Sequence, residues 1–159
     1  MWQKMLQIGS GGEPVSKEFV LYSRENGFAS GFSLSDFVNL TYANIAIDSN
    51  NDILVTSKTN GQNGYSYIPI DITNKNYTTL HFSATSVNYG RVGYKVTTAP
   101  TQASPTTQEV QPYSGDGHNK DDLQFNIGGM TGTLSIVICG AVSSGGTVYT
   151  NPINKIWLD

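Results

Sequence analysis

The sequence predicts an all-β protein, an antiparallel β-sandwich of the jelly-roll type. Short runs in which apolar and polar residues alternate recur along the chain, and such alternation is typical of strands with one buried face. Glycine and asparagine turn signals separate these runs, and no long amphipathic helical pattern occurs. With one cysteine, the chain lacks the Cys–Trp–Cys spacing of an immunoglobulin domain, so a jelly roll with a closing strand fits better.

The pattern divides the chain into a leading arm and one domain. Residues 1–15 contain a Gly/Ser run and are expected to form an arm with a flexible joint, ahead of a single sandwich domain at residues 16–159. A chain of 159 residues is long enough for one domain with its own core. We predict nine strands, at residues 18–22, 42–48, 53–57, 65–70, 80–85, 92–97, 123–127, 133–139 and 153–159.

The connections carry their own signals. Residues 33–38 indicate a single helical turn with a serine cap, or further loop. Residues 49–52 form a tight turn between two strands, which predicts a hairpin. Residues 98–113 contain three prolines, which cannot donate ladder hydrogen bonds, so we expect a surface loop or a ragged edge, followed by a polar loop at residues 114–122.

The clearest strand pair lies within residues 65–86, around which the sheet is organised. Tyr65 and Tyr67 share one face of the first run, and Leu80 and Phe82 share one face of the second. The intervening residues favour a turn, because Asp and Thr oxygens accept backbone hydrogen bonds and Asn tolerates left-handed backbone angles. These turn residues are Asp71, Thr73, Asn74 and Asn76.

Composition argues against two classes of partner. The net charge is −3, whereas binding to a nucleic-acid backbone needs a basic patch. No apolar run approaches the roughly 18–20 residues that span a membrane. The first residues are too few and too polar for a secretory signal peptide, and a lone cysteine fits folding in a reducing cytoplasm. Cys139 is expected to be a small buried hydrophobe; the alternative, a nucleophile, needs a base and a positive environment.

Five segments of the sequence carry a resemblance. They are LYSRENGFASGF (21–32), SNNDILVTS (49–57), IDITNKNYTTLHF (70–82), LQFNIGGMTGTLSIVI (123–138) and NKIWL (154–158). Together they resemble the carbohydrate-binding-module-like, galactose-binding-domain-like jelly rolls of tail and minor structural proteins from phages and prophages of Gram-positive gut bacteria. The resemblance covers roughly residues 20–159 and includes no catalytic motif.

This resemblance implies a non-catalytic virion module that requires no cofactor. Its expected location is the phage tail, after synthesis in the bacterial cytoplasm without a signal peptide. Its expected partners are a cell-surface or cell-wall glycan, other virion subunits and further copies of the chain in a homo-oligomer. The alternatives are a purely structural tail or baseplate module that binds no sugar and, third, a glycan depolymerase.

Sugar binding needs aromatic rings and hydrogen-bonding side chains on one surface. For each tyrosine, packing in the sandwich is the alternative to ligand contact. Trp157 is expected to pack in the core or against the leading arm, and His81 to lie on the non-core face of its strand. The candidate ligand-binding residues are Tyr65, Tyr67, Tyr89, Arg91, Tyr113 and His118.

A structural calcium ion is a further hypothesis for the polar loop. Asp116, Asn119, Asp121 and Asp122 place several oxygen ligands within seven residues, and calcium takes about six to eight oxygens. The spacing differs from that of an EF-hand, and an ordinary solvated turn is the alternative.

Catalytic motifs are largely missing from the sequence. Two histidines occur in no metal-binding or nucleophile spacing. A glycosidase needs two carboxylates about 5–10 Å apart across a cleft, and no such pair follows from the spacing of the acidic residues.

Overall fold

A computed structural model describes residues 18–38, 43–58, 64–84, 91–96, 108–110, 120–140, 147–148 and 150–159. The predicted leading arm lies outside these residues. The described part contains one 3-10 helix, Leu34–Asp36, and eleven strands: β1 Phe19–Ser23, β2 Gly27–Phe28, β3 Ala43–Ile47, β4 Ile53–Ser57, β5 Gly64–Asp71, β6 Thr79–Ala84, β7 Arg91–Val96, β8 Gln108–Val110, β9 Lys120–Asn126, β10 Thr133–Gly140 and β11 Thr150–Leu158. Within this part, no helix has the length and hydropathy that a membrane span requires.

The strands form two antiparallel sheets. The long strand β11 is the centre of the seven-stranded sheet. One edge of β11 pairs with β6, which pairs in turn with β9. The other edge pairs with β4 and then with β1, and these two strands pair with β3 and β2 respectively. The four-stranded sheet has the order β5-β10-β7-β8. From β4 onward the chain crosses between the sheets, so that β4-β11-β6-β9 faces β5-β10-β7-β8. This nesting of Greek keys is the predicted jelly roll.

The core lies between the inner faces of the two sheets. Leu80 and Phe82 of β6 are fully buried, as are Ile136 and Ile138 of β10. Every residue from Leu134 to Gly140 is buried, which confirms the expectation of a strand covered on both faces. Cys139 is buried in that strand, in agreement with its predicted packing role.

Local turn chemistry agrees with the sequence at several positions. The Asp71 carboxylate accepts the Thr73 backbone N–H at 2.8 Å, and Asn74 has a φ of 59°. Asn76, in contrast, is not among the described residues with positive φ. The Leu34–Asp36 helix follows a serine, whose backbone N–H donates to the Asp36 carboxylate at 2.6 Å, so the predicted capped turn is present.

One glycine marks a close approach between the sheets. A Cβ atom on Gly140, the last residue of β10, would lie 2.7 Å from the backbone of Thr56 and Ser57 in β4. Real Cβ atoms do not approach backbone this closely, so β10 reaches β4 only because this residue has no side chain.

The structure corrects two expected boundaries. β9 begins at Lys120, so Asp121 and Asp122 lie on a strand and not in a polar loop. β11 begins at Thr150 and includes Pro152. In both cases long-range pairing extends a strand into polar residues that do not alternate. β8 is a short strand at the edge of the four-stranded sheet, within the segment predicted as a surface loop or ragged edge.

Candidate functional site

The outer face of the seven-stranded sheet is irregular where β9 meets β6. The register shifts so that Asp121 and Asp122 together oppose one residue, Ser83. Such a β-bulge re-aims side chains, and bulges are frequent beside functional sites. Here it brings two neighbouring carboxylates of one strand to the same face of the sheet.

A second bulge lies directly across β6. Between the pairs that Ile153 and Lys155 make with β6, β11 contains one extra residue, Asn154. The carbonyl oxygen of Asn154 accepts a hydrogen bond from the Arg24 backbone N–H at 2.8 Å. The residue that follows β1 is therefore still hydrogen-bonded to the bulged residue of β11. The two bulges therefore interrupt the flat sheet at the level of Ser83.

A shallow cleft, the bulge cleft, opens at this point. Its volume is about 360 Å³, at the small end of the about 300–1,000 Å³ of ligand pockets. Its walls combine an indole, two carboxylates, an amide, a hydroxyl and two cationic groups, contributed by Arg24, Glu25, Ser83, Asp121, Asn154, Lys155 and Trp157. These groups can donate to and accept from a polar ligand.

A second cleft adjoins the first. It has a volume of about 310 Å³ and shares Glu25 and Lys155 with the bulge cleft. Its further walls come from β1 and from the segment that follows it: Glu18, Val20, Ser23, Asn26, Gly27, Phe28 and Ala29. The two clefts together offer an extended polar surface over β1 and β11.

Arg24 is held in position by a buried carboxylate. Its Nε and Nη2 atoms each donate to an Asp52 oxygen at 2.8 Å, and the Asp52 side chain is 2% exposed. This bidentate geometry is the strong form of the Arg–carboxylate pair. The hydrogen bond to Asp52 raises the pKa of Arg24, so the guanidinium at the wall of the cleft stays charged.

The same turn anchors β1 through a second contact. Tyr22 donates its hydroxyl to the Asn51 carbonyl at 2.5 Å, and burial followed by the charge of Asp52 raises the pKa of the phenol. Asn51 has a φ of 59°, and the Asp48 carboxylate accepts the backbone N–H groups of Asn50 and Asp52 at 2.8 Å. These hydrogen bonds define the conformation of the turn between β3 and β4, and Asp52 at its end holds Arg24 at the cleft.

Trp157 lies on the outer face and not in the core, and the alternative prediction, packing against the leading arm, concerns residues outside the described part. It is half-buried, and its indole stacks on His81 with ring centroids 4.7 Å apart and planes 9° apart. The Nζ atom of Lys155 lies 4.3 Å from the indole centroid and 2.7 Å from a Glu18 carboxylate oxygen. Because both neighbours cover the indole, hydrogen-bonding groups dominate the cleft.

His81 lies on the non-core face of β6, as predicted, but it is buried there. Its Nδ1 atom is 2.7 Å from Asp122 Oδ1, and its Nε2 atom is 3.2 Å from Asp159 Oδ2. The geometry of the second contact does not form a hydrogen bond, and Nε2 is buried with no hydrogen-bond partner. A buried Nε2 cannot reach a substrate in this conformation.

The structure separates the residues predicted to bind sugar. Tyr65 and Tyr67 are 8% and 0% exposed and pack with Val137 and Cys139 on the outer side of the four-stranded sheet. This corrects the ligand-face prediction for both residues, because the packing alternative is the one observed. Arg91 begins β7 opposite Cys139. The other three candidates, Tyr89, Tyr113 and His118, lie outside the described residues.

The structure describes two of the four predicted metal ligands. Asp116 and Asn119 lie outside the described residues. Asp121 lines the bulge cleft, and Asp122 accepts from His81 and from the Gln124 amide. Among the described residues, no three His, Cys, Asp or Glu side chains come together in a way that could hold a metal ion.

Sequence reasoning missed the bulge cleft, although part of its signal was present. The sequence predicts Asp121 as a metal ligand, and it gives no signal for Arg24, Glu25 or Lys155 as site residues. Lys155 and Trp157 are two positions apart on the closing strand and therefore lie on the same side of it. A charged residue on that side indicates that this face of β11 is exposed.

Comparison with known proteins adds no functional assignment. No protein-family model matches the sequence, and no curated protein matches it significantly. The functional argument therefore depends on the geometry of the site.

Proposed function

We propose that the protein is a non-catalytic carbohydrate-binding module that contacts a glycan through the bulge cleft. The observation that carries this proposal is the convergence of an amide, two carboxylates and two cationic groups around an indole on an open sheet face. Sugar hydroxyls both donate and accept hydrogen bonds, so a ring of mixed donors and acceptors suits them. The adjoining cleft extends the contact to a second sugar unit.

The biological setting follows the sequence resemblance. In that setting the module belongs to a phage or prophage virion and binds a glycan of the host surface. A shallow cleft gives weak binding at each site, and many copies on a tail raise the overall strength of adhesion through avidity. Other virion subunits and further copies of the chain are the proposed protein partners.

A glycan array with multivalent display of the whole chain tests the proposal. Host cell-wall polysaccharide is included, and calcium is either present or chelated. We expect binding to one glycan class, reduced at least about tenfold by Lys155→Ala or Asp121→Ala, since each loses a hydrogen bond to the ligand. Lys75→Ala is the matched control because Lys75 lines a different cleft. No binding, or equal binding by all variants, contradicts the proposal.

The depolymerase, the third alternative, has one observation in its favour, because Glu25 and Asp121 line the same cleft. Glycosidases use two facing carboxylates, one of which is a general acid whose pKa is raised by burial. Both of these side chains are exposed, which favours binding over hydrolysis. An assay for reducing ends released from polysaccharide tests this candidate. Release by the wild type that is lost in Asp121→Asn would favour a depolymerase over a binding module.

A structural assembly module, the second alternative, is favoured by the sheet edge at β3. Ala46 and Ile47 on this edge strand are exposed, and exposed edges are templates for pairing with another chain. Light scattering on the same sample measures the oligomer. A defined oligomer that binds no glycan would favour this candidate.

A further inference from the structure

The two cationic side chains of the bulge cleft are each paired with a carboxylate of the protein. Arg24 donates two hydrogen bonds of 2.8 Å to Asp52, whose side chain is 2% exposed. The Nζ atom of Lys155 lies 2.7 Å from Glu18 Oε1 and 4.3 Å from the centroid of the Trp157 ring. Each positive charge at the walls of the cleft is therefore balanced by a negative charge beside it.

The carboxylates of Glu25 and Asp121 line the same cleft without such a pairing. Both side chains are exposed, and neither forms an ion pair within the described part of the chain. Glu25 also lines the adjoining cleft, and the described cations at either cleft are Arg24 and Lys155. Two negative charges at the bulge cleft thus have no cation of their own.

Two further carboxylates lie next to the cleft. Asp122 follows Asp121 on β9, and its Oδ1 atom is 2.7 Å from His81 Nδ1. Asp159 Oδ2 is 3.2 Å from His81 Nε2, and the His81 ring stacks on Trp157 at the wall of the cleft. Among the described residues around the cleft, carboxylates therefore outnumber basic side chains, and such a surface attracts ligands of positive charge.

We propose that the bulge cleft is selective for glycans with free amino sugars, whose ammonium group Glu25 and Asp121 bind. This selectivity rests on the proposed function, because it names the class of glycan for the same site. An ammonium group has three N–H donors and no acceptor, and an ionised carboxylate only accepts hydrogen bonds. The Ser83 hydroxyl at the same walls suits the sugar hydroxyls.

Other glycans fit these charges less well. N-acetylation replaces the ammonium by a neutral amide, which offers no charge to the two carboxylates. A uronic acid or a phosphorylated sugar brings a like charge into the cleft, and such contacts exclude wrong partners.

The expected preference is moderate because the carboxylates are exposed. One exposed ion pair changes an equilibrium constant by up to about fivefold, so two carboxylates should favour the amine over the N-acetylated form about fivefold to twentyfold. Salt screens exposed charges, and the Debye length falls to about 3 Å at about 1 M salt, so the preference should shrink there.

Affinity measurements on paired oligosaccharides test the selectivity. The probes are oligosaccharides of glucosamine, galactosamine and mannosamine, each as the free amine and as the N-acetylated form, together with uronic acid and phosphorylated oligosaccharides. The whole chain is used at about pH 6, where a sugar amine is protonated and ordinary carboxylates are ionised. We expect at least one free amine to bind about fivefold to twentyfold more tightly than its N-acetylated partner.

Variants that remove one charge locate the selectivity. Glu25→Gln and Asp121→Asn keep hydrogen-bonding groups, so each should lower the affinity for the amine about threefold to fivefold and that for the N-acetylated form less than about twofold. Glu18→Gln, which removes the partner of Lys155, should also lower the preference. Asp71→Asn is the matched control, because Asp71 ends β5 and lines neither cleft.

The outcomes separate this selectivity from glycan binding itself. Binding of neutral or acidic oligosaccharides with no preference for an amine, or a preference that Glu25→Gln and Asp121→Asn leave intact, would overturn the selectivity but not the proposed function. No binding to any of these probes would overturn the selectivity, and silence of the glycan array as well would overturn the proposed function. A lysine tetrapeptide that binds as tightly as the best amino oligosaccharide would identify the ligand as a cationic peptide and overturn the amino-sugar assignment.

Discussion

The two outer faces of the sandwich differ in what covers them. On the four-stranded sheet, Tyr67 and Val137 lie on the outer side and are 0% and 1% exposed. On the seven-stranded sheet, Trp157 and Lys155 lie on the outer side and are half-buried, beside two open clefts. We call the first the closed face and the second the open face.

The comparison shows what alternation does and does not specify. Period-two alternation assigns side chains to two sides of a strand, but both outer faces of a sandwich count as the non-core side. Tyr65 and Tyr67 are predicted to form a ligand surface and are packed, whereas Trp157, predicted to pack in the core or against the leading arm, borders a cleft. Coverage by distant parts of the chain decides which outer face stays open.

The largest expected effect compares one aromatic residue from each face. Tyr67→Ala removes a fully buried ring and should lower the free energy of unfolding by about 3–5 kcal/mol. Trp157→Ala removes a half-buried indole and should lower the free energy of unfolding by under about 2 kcal/mol, because only part of the indole surface is buried on folding. Urea denaturation at neutral pH measures both. Equal losses would mean that the two faces are equally packed.

The next effect concerns the strand that carries the closed face. Gly140→Ala places a Cβ 2.7 Å from the backbone of β4, which cannot move as a side chain can, and should destabilise by about 1–3 kcal/mol. Gly128→Ala is the control, because its Cβ would be 3.2 Å from a side-chain atom of Asn126. A smaller effect at Gly140 than at Gly128 would contradict the close approach of β10 to β4.

The smallest effect lies at the exposed end of β5. Hydrogen bonds from the Thr73 side chain and backbone hold the pKa of Asp71 below its ordinary value of 3.8. Its contribution to stability is therefore present above that value and is lost as the pH falls further. Asp71→Asn keeps an acceptor but removes the charge.

Thermal unfolding at pH 7 and pH 3 measures this last effect. The melting temperature of Asp71→Asn should lie slightly below that of the wild type at pH 7, and the gap should narrow at pH 3. A gap of the same size at both values would show that the charge of Asp71 has no stabilising role.

Much of the architecture could be predicted because its signals are local. The strand in residues 133–139, the turn at Asp71 and Asn74 and the serine-capped turn depend on residues a few positions apart. The bulge cleft could not be predicted in this way. Asp121 and Asn154 face it because β9 and β11 each contain one residue more than β6 at Ser83, and that mismatch exists only once the strands pair.

The sequence by itself determined the strands, most of their turns and the antiparallel jelly roll, because hydrophobic period and turn chemistry act over short distances. The tertiary structure alone decided which outer face is closed, which residues line the clefts and which carboxylates meet His81. Those relations join residues far apart along the chain, such as His81 with Asp159 and Arg24 with Asp52. The register between paired strands and the covering of one face by distant residues create these contacts. Neither can be read from a single segment of the chain.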